Sequence, residues 1–140
     1  MSGSLNLRVI TPERIQLDTT CSSIQFITVD GYVGVLKDHA PMVAALGVGG
    51  LAFGDEGSDD KEAMFVAGGF AEVRDNTVRI VTEASERPTD IDVDRASKAA
   101  DRARQRLEQG TVDGSAVDFL RAQASLRRAM MRMQIANRYQ

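Results

Sequence analysis

Apolar residues recur at every second position through the first part of this chain and then switch to a helical period after Pro88. "LNLRV" places Leu5, Leu7 and Val9 on one face, "IQFITV" is rich in β-formers, and Asp30-Gly31 is a turn signal before "YVGVL". The run "MFVAGGFAEV" reads as a further strand, its Gly68-Gly69 pair marking a bulge or a close backbone approach. Asp75-Asn76 turns the chain into "TVRIVTE", where Val78 and Ile80 alternate with Arg79 and Val81. Pro12, Pro41 and the glycines from Gly47 to Gly50 fall between runs, and "GDEGSDDK" reads as a solvated hairpin tip. Short strands at this spacing predict a β-sandwich or a barrel.

Beyond Pro88, Ala96, Ala99, Ala100, Ala103 and Leu107 make one apolar stripe at helical spacing. Thr89 or Asp90 can cap this helix, with Asp92 and Asp94 in its first turn. Gly110 and Gly114 bracket a turn, and a second helix is expected from near Ser115. Phe119, Ala122, Leu126, Ala129 or Met130, and Met133 mark its stripe. So short a connection makes the helices antiparallel neighbours. Alanines permit close approach but bury little area, so such a hairpin is held weakly and can open. The chain is thus read as α+β, strands first: a β module over residues 1–88 and a helical hairpin over 89–140.

Charge separates the same two parts. Residues 91–140 carry ten Lys/Arg against six Asp/Glu, and residues 1–90 carry seven against fourteen, within a total of −3. Modules of opposite sign suit different partners. A basic hairpin can bind nucleic acid, but the acidic first module and the lack of interleaved aromatics argue against it. The single cysteine, Cys21, excludes an internal disulfide and fits a reducing compartment. No signal peptide is expected from "MSGSLNL". The longest apolar run, "MVAALGVGGLAF", is too short to span a bilayer, so membrane association is expected only through a partner. His39 is the only histidine, and no metal cluster, carboxylate pair or nucleophile constellation can be read from spacing, so an enzyme ranks last.

Arginine spacing adds a binding chemistry. Arg95 and Arg102 lie two turns apart on one helix face, and Arg128 and Arg132 lie one turn apart on another. A folded hairpin gathers these guanidiniums, which repel until an anion such as a triphosphate satisfies them with bidentate, charge-assisted hydrogen bonds. No P-loop is present, so binding without phosphoryl transfer is the chemistry on offer. The same arginines also suit a solvated helix surface with i,i+4 partners. The methionines Met130, Met131 and Met133 read as core filler.

Three segments, "GVLKDHAPMVAAL" (Gly34–Leu46), "VAGGFAEV" (Val66–Val73) and "ASERPTDIDVDRA" (Ala84–Ala96), together resemble the epsilon-subunit family of bacterial F-type ATP synthases. The resemblance covers nearly the whole chain, in order. It implies a ten-stranded β-sandwich followed by an antiparallel two-helix hairpin. It implies a non-catalytic rotor role in the central stalk, coupling rotation to ATP synthesis, between the gamma subunit and the c-subunit ring. It also implies inhibition of hydrolysis by a hairpin that extends toward the alpha/beta head. Some members bind ATP through an I(L)-D-x-x-R-A motif, matched here by Ile91, Asp92, Arg95 and Ala96. The associated glutamate and further arginines are matched by Glu86, Arg102, Arg128 and Arg132. In this reading Asp92 or Glu86 accepts from the adenine amino group or a ribose hydroxyl, and Ile91 packs on the base. Tyr32 and His39 are implied contacts to the c ring and gamma subunit. ATP is then a regulatory ligand, no cofactor is required, and a purely structural and inhibitory subunit is the alternative. The isolated chain is expected to be monomeric. In the complex it is expected to be peripheral, on the cytoplasmic face of the bacterial plasma membrane.

Overall fold

The computed structural model describes residues 4–110 and 116–139, with only the backbone described at Ala116 and Val117. The chain forms two compact units, residues 1–87 and 88–140.

The first unit holds strands β1 (Leu5–Ile10), β2 (Ile15–Cys21), β3 (Ser23–Thr28), β4 (Gly31–Val35), β5 (Met42–Gly54), β6 (Glu62–Ala67), β7 (Phe70–Arg74), β8 (Thr77–Val81) and β9 (Ser85–Glu86). One layer has the order β2-β1-β8-β7-β5 and the other β4-β3-β5-β6-β9. The architecture is therefore a sandwich rather than a barrel. The described residues hold nine strands where ten were expected. The reason is β5, thirteen residues long, which pairs β7 through Met42–Ala45 and then crosses to pair β3 and β6. It occupies a place in both layers while counting once.

The expectation that Gly47–Gly50 interrupts the strands is corrected, because these glycines lie inside β5 where it changes sheets. A Cβ at Gly47 would stand 3.2 Å from Thr28 O and 3.3 Å from Ile27 Cγ1, so the small residue allows β3 to pack against the bend. "MFVAGGFAEV" is likewise corrected from one strand to two. Gly68 (φ 73°) and Gly69 (φ 99°) carry the chain from β6 in one layer to β7 in the other. Strand β2, whose burial alternates poorly, and the two-residue β9 carry too little periodicity to be read from sequence.

Alternation fills the space between the layers. Leu5, Leu7 and Val9 of β1 meet Val78 and Ile80 of β8, and Ile24, Phe26, Leu51 and Val66 close the other side, all at most 1% exposed. The β1–β8 pairing is parallel, aligning Leu7 with Val78 and Val9 with Ile80. Asp75 (φ 50°) and Asn76 (φ 59°) form the tight β7–β8 turn, where short polar side chains tolerate the left-handed region. The acidic tip between β5 and β6 is held by Lys61, whose Nζ donates to Asp55 O at 2.6 Å and Ser58 O at 2.7 Å.

Cys21 ends β2 inside the core, and burial pushes its thiol above the ordinary 9.0, against smaller opposing effects from backbone groups at Ser23 and Gly54. The raised value disfavours the thiolate in the folded state. Its contribution to stability is complete below the unfolded-state pKa and is lost as pH rises through the folded one. At pH 8 a disulfide reagent should label the native thiol at least 100-fold more slowly than the urea-unfolded one; equal rates would contradict the burial.

The described residues of the second unit form a 3-10 turn (Pro88–Asp90), α1 (Val93–Gln109) and α2 (Ala116–Tyr139). Proline suits the first position of such a turn, and Ile91 N donates to Pro88 O at 3.3 Å. The cap expected at Thr89 or Asp90 is instead Asp92. Its backbone is extended (φ −81°, ψ 98°), and its carboxylate accepts from Arg95 N at 3.0 Å. The 3-10 turn consumes the two earlier residues, which delays the helix start. Gly110 (φ 69°, ψ −175°) ends α1 in a backbone conformation that essentially only glycine adopts. Gly114 and Ser115, placed in the turn and at the start of the second helix, lie outside the described residues.

Ala96, Ala100 and Ala103 are buried along α1, and Ala122, Ala129 and Ala136 along α2. With half-buried Leu107, Leu126 and Met133 they follow alternating steps of three and four, the a/d seam of a coiled coil. Small residues at the seam let the two backbones approach closely. Phe119 keeps the phase of the expected stripe but is 43% exposed. It lies one turn into α2, where only the last turn of α1 can cover it. Met130, expected as core, is 46% exposed, because the seam passes through Ala129 beside it.

Candidate functional site

The seam fixes which side chains share a side of the hairpin. With Ala96, Ala103, Ala122, Ala129 and Ala136 at d, Arg95, Arg102, Arg121 and Arg128 take position c, and Arg106 and Arg132 take g. In an antiparallel pair the g edges of the two helices face each other across the seam. The four arginines singled out from sequence, Arg95, Arg102, Arg128 and Arg132, therefore lie along one flank of one hairpin.

Height along the hairpin follows from helical rise. Arg95 precedes the end of α1 by about 21 Å, and Arg128 and Arg132 follow the start of α2 by about 18 and 24 Å at 1.5 Å per residue. Arg95 is therefore level with the gap between them, and Arg102 sits about two turns nearer the connection. Arg95 and Arg102 are exposed, and neither makes an ion pair among the described residues. Arg128 is half-buried and its Nη2 donates to Ser125 Oγ at 3.4 Å, which places Ser125 on the same flank. Arg132 is half-buried.

The other sequence-derived residues have different settings. Asp92 is exposed at the head of α1, where one carboxylate oxygen is engaged as the helix cap. Ile91 and Ala96 are each only 5% exposed. Ala96 belongs to the seam, so its side chain packs between the helices. Glu86 belongs to the first unit, on β9 opposite Phe65 of β6. Tyr32 is 60% exposed on β4. His39 follows that strand, its Nδ1 within 2.6 Å of Ala40 O. Val29 and Val43 of the first unit are also strongly exposed, at 67% and 70%, which alternation alone did not single out.

The opposite flank of the hairpin is chemically distinct. Asp94, Asp101 and Glu108 repeat every seven residues along α1, with Arg104 paired to Asp101 at 3.4 Å. Beside them an open groove of about 730 Å³ is lined by Leu107, Leu120, Ala124, Met130 and Met131 among others. Three of the arginines of α1, Arg95, Arg102 and Arg106, thus lie on the side away from these carboxylates, while Arg104 stays among them. No cluster of histidine, cysteine or carboxylates able to hold a metal occurs among the described residues. No described helix is long and apolar enough to cross a membrane.

Comparison with known proteins covers both units. Residues 4–88 match the family described as "ATP synthase, Delta/Epsilon chain, beta-sandwich domain", and residues 89–137 match "ATP synthase, Delta/Epsilon chain, long alpha-helix domain". The ATP synthase epsilon chain of Nitratidesulfovibrio vulgaris (strain DP4) is 43% identical over 135 residues, spanning 96% of this chain and 97% of that one. The ATP synthase epsilon chain of Halalkalibacterium halodurans is 41% identical over 135 residues, spanning 96% and 98%. Among solved structures, a chain of the Euglena gracilis mitochondrial ATP synthase (OSCP/F1/c-ring) has the same fold, with a TM-score of 0.78 at 24% identity, covering 96% of this chain and 81% of that one.

Proposed function

Because the chain belongs to the delta/epsilon-chain family of ATP synthase, as a non-catalytic subunit of the central stalk, we propose that its hairpin binds ATP as a regulatory ligand and, when open, inhibits ATP hydrolysis. The observation that carries this reading is the gathering of Arg95, Arg102, Arg128 and Arg132 along one flank of a weakly sealed hairpin. A triphosphate on that flank relieves guanidinium repulsion only while the helices stay paired. ATP then stabilises the folded hairpin by RT ln(1 + [ATP]/Kd), and falling ATP releases it. Once released, the same arginines are available to acidic surfaces of the alpha/beta head. Exposed Tyr32, at the start of β4, and His39, beyond its end, are assigned to the stalk contacts, with the c ring and the gamma subunit as partners. The chain reaches the cytoplasmic face of the bacterial plasma membrane only through those partners.

The test is titration calorimetry of ATP into the isolated chain, with and without magnesium. Saturable heat is expected for the native chain, and Arg128→Ala should weaken binding by at least tenfold through the loss of a charge-assisted contact. Asp92 needs the more careful substitution, because Asp92→Ala would remove the helix cap along with any ligand contact. Asp92→Asn keeps capping ability while removing the charge. A weakened Asp92→Asn variant assigns the carboxylate to the ligand. Absence of heat at millimolar ATP would leave a structural and inhibitory subunit without nucleotide sensing.

A further inference from the structure

The basic flank is longer than four arginines. Arg106 and Arg121 occupy the same c/g edge, closer to the connection, and they enter neither the sequence motif nor the nucleotide set above. From the ends of their helices they stand at about 5 and 8 Å, against about 11 Å for Arg102. The flank therefore holds two groups. Arg95, Arg128 and Arg132 lie near the head of α1, and Arg102, Arg106 and Arg121 lie toward the connection. Six of the ten basic residues of the second unit fall on this one side. Asp92 marks its upper end and Asp118 its lower end, where Asp118 reaches Arg121 at only 3.9 Å. Arg121 is 78% exposed in its side chain, so the pair is readily exchanged for a stronger anion.

Length decides what such a flank can take. Three linked phosphates cover little more than one helical turn of about 5.4 Å, whereas the arginines run from about 5 to about 24 Å along the hairpin. A triphosphate engages the upper group and at best Arg102. We propose that the lower group, Arg102, Arg106 and Arg121, is a second phosphate subsite, so that the flank takes linear polyphosphate chains of four or more phosphates in preference to a triphosphate. The inference extends the nucleotide reading above, since it places the adenosine end of a nucleotide near Asp92 and lets its phosphate tail run toward the connection. A free inorganic chain presents the same repeating chemistry and would lie along the same edge.

The experiment compares ATP, adenosine 5′-tetraphosphate and linear inorganic hexaphosphate by calorimetry on the full chain at about 0.15 M salt, where nonspecific attraction is screened. The tetraphosphate should bind roughly tenfold more tightly than ATP, the effect of one added charge-assisted contact. Arg106→Ala/Arg121→Ala should abolish that gain while leaving the ATP affinity within about twofold. Hexaphosphate binding that falls in the same double variant, with no ATP binding in the native chain, would support the subsite and reject the nucleotide reading. Equal affinity for ATP and the tetraphosphate would overturn the proposal while leaving that reading intact. So would a gain that survives the double substitution, or one lost equally on Lys98→Ala, a basic residue off the flank. Circular dichroism of each variant checks that helix content is unchanged.

Discussion

Ala100→Leu is expected to drive the two helices apart. Ala100 is fully buried on the seam, between Ala96 and Ala103 and against a neighbouring helix that also presents alanines. Leucine at this position cannot point outward, because the seam fixes its direction, and Ala100 is already 0% exposed between the helices. Overpacking of this kind costs about 1–3 kcal/mol. A seam of alanines has little to set against that loss, since each methyl contributes less than about 1 kcal/mol. A shift of about 2 kcal/mol moves the closed-to-open ratio by roughly thirtyfold, and apparent ATP affinity falls in proportion to the fraction of hairpin still closed. Hydrogen exchange should show lost protection along Val93–Gln109 and Ala116–Tyr139, with β1, β3 and β8 unchanged. Ser97→Leu, on an exposed position of the same helix, should leave protection as it was. Retained protection in the Ala100 variant would mean that the seam is not what closes the hairpin. Within the assembled complex the same substitution should deepen inhibition of hydrolysis, because it favours the open state that the proposed mechanism makes inhibitory.

Gly69→Ala should be the most damaging substitution in the sandwich. At φ 99° an alanine is strained, and its Cβ would overlap Val81 O and press on Thr82 Cα. Backbone strain and forced displacement together cost roughly 2–6 kcal/mol, a large share of the stability of a domain this size. The position also anchors the junction between layers, since Gly69 O accepts from Leu46 N of β5 at 2.9 Å. Gly68→Ala is the informative comparison. Gly68 also has positive φ, 73°, but a Cβ there meets nothing within 4 Å. Its cost should be limited to the backbone, about 1 kcal/mol. Urea unfolding followed by circular dichroism should separate the two variants clearly. Equal losses would show that strain alone, and not the approach of Val81, governs the site.

These two substitutions mark where sequence reading ends. The Gly68-Gly69 pair signals an unusual backbone in the sequence, but nothing local distinguishes the glycine that faces Val81 from the one that faces open space. Gly47–Gly50 reads as a break for the same reason. A glycine run looks alike in a loop and in a strand that must bend between sheets. Asp92 reads as a first-turn acid because capping depends on where the preceding turn ends, and Pro88–Asp90 takes up residues that periodicity assigns to the helix. Among the proposed ligand residues, the charge and spacing of Arg95, Arg102, Arg128 and Arg132 are plain in the sequence. The burial of Ile91 and Ala96 and the position of Glu86 on β9 are not.

What the sequence by itself determined is local and periodic: alternation in β1, β3, β4 and β8, the alanine stripe of α1, the change of period at Pro88, the turn at Asp75-Asn76, and the ordered segments that point to the family. A side chain's direction relative to its own element follows from two repeats, 2.0 and 3.6 residues, and both can be counted along the chain. Only the tertiary structure decided how β5 serves two layers, which glycine admits no methyl group, and that Arg106 and Arg121 continue the flank begun by Arg95. Those facts depend on register between segments distant in sequence. A register is set by the joint packing of two faces, and neither face carries it alone.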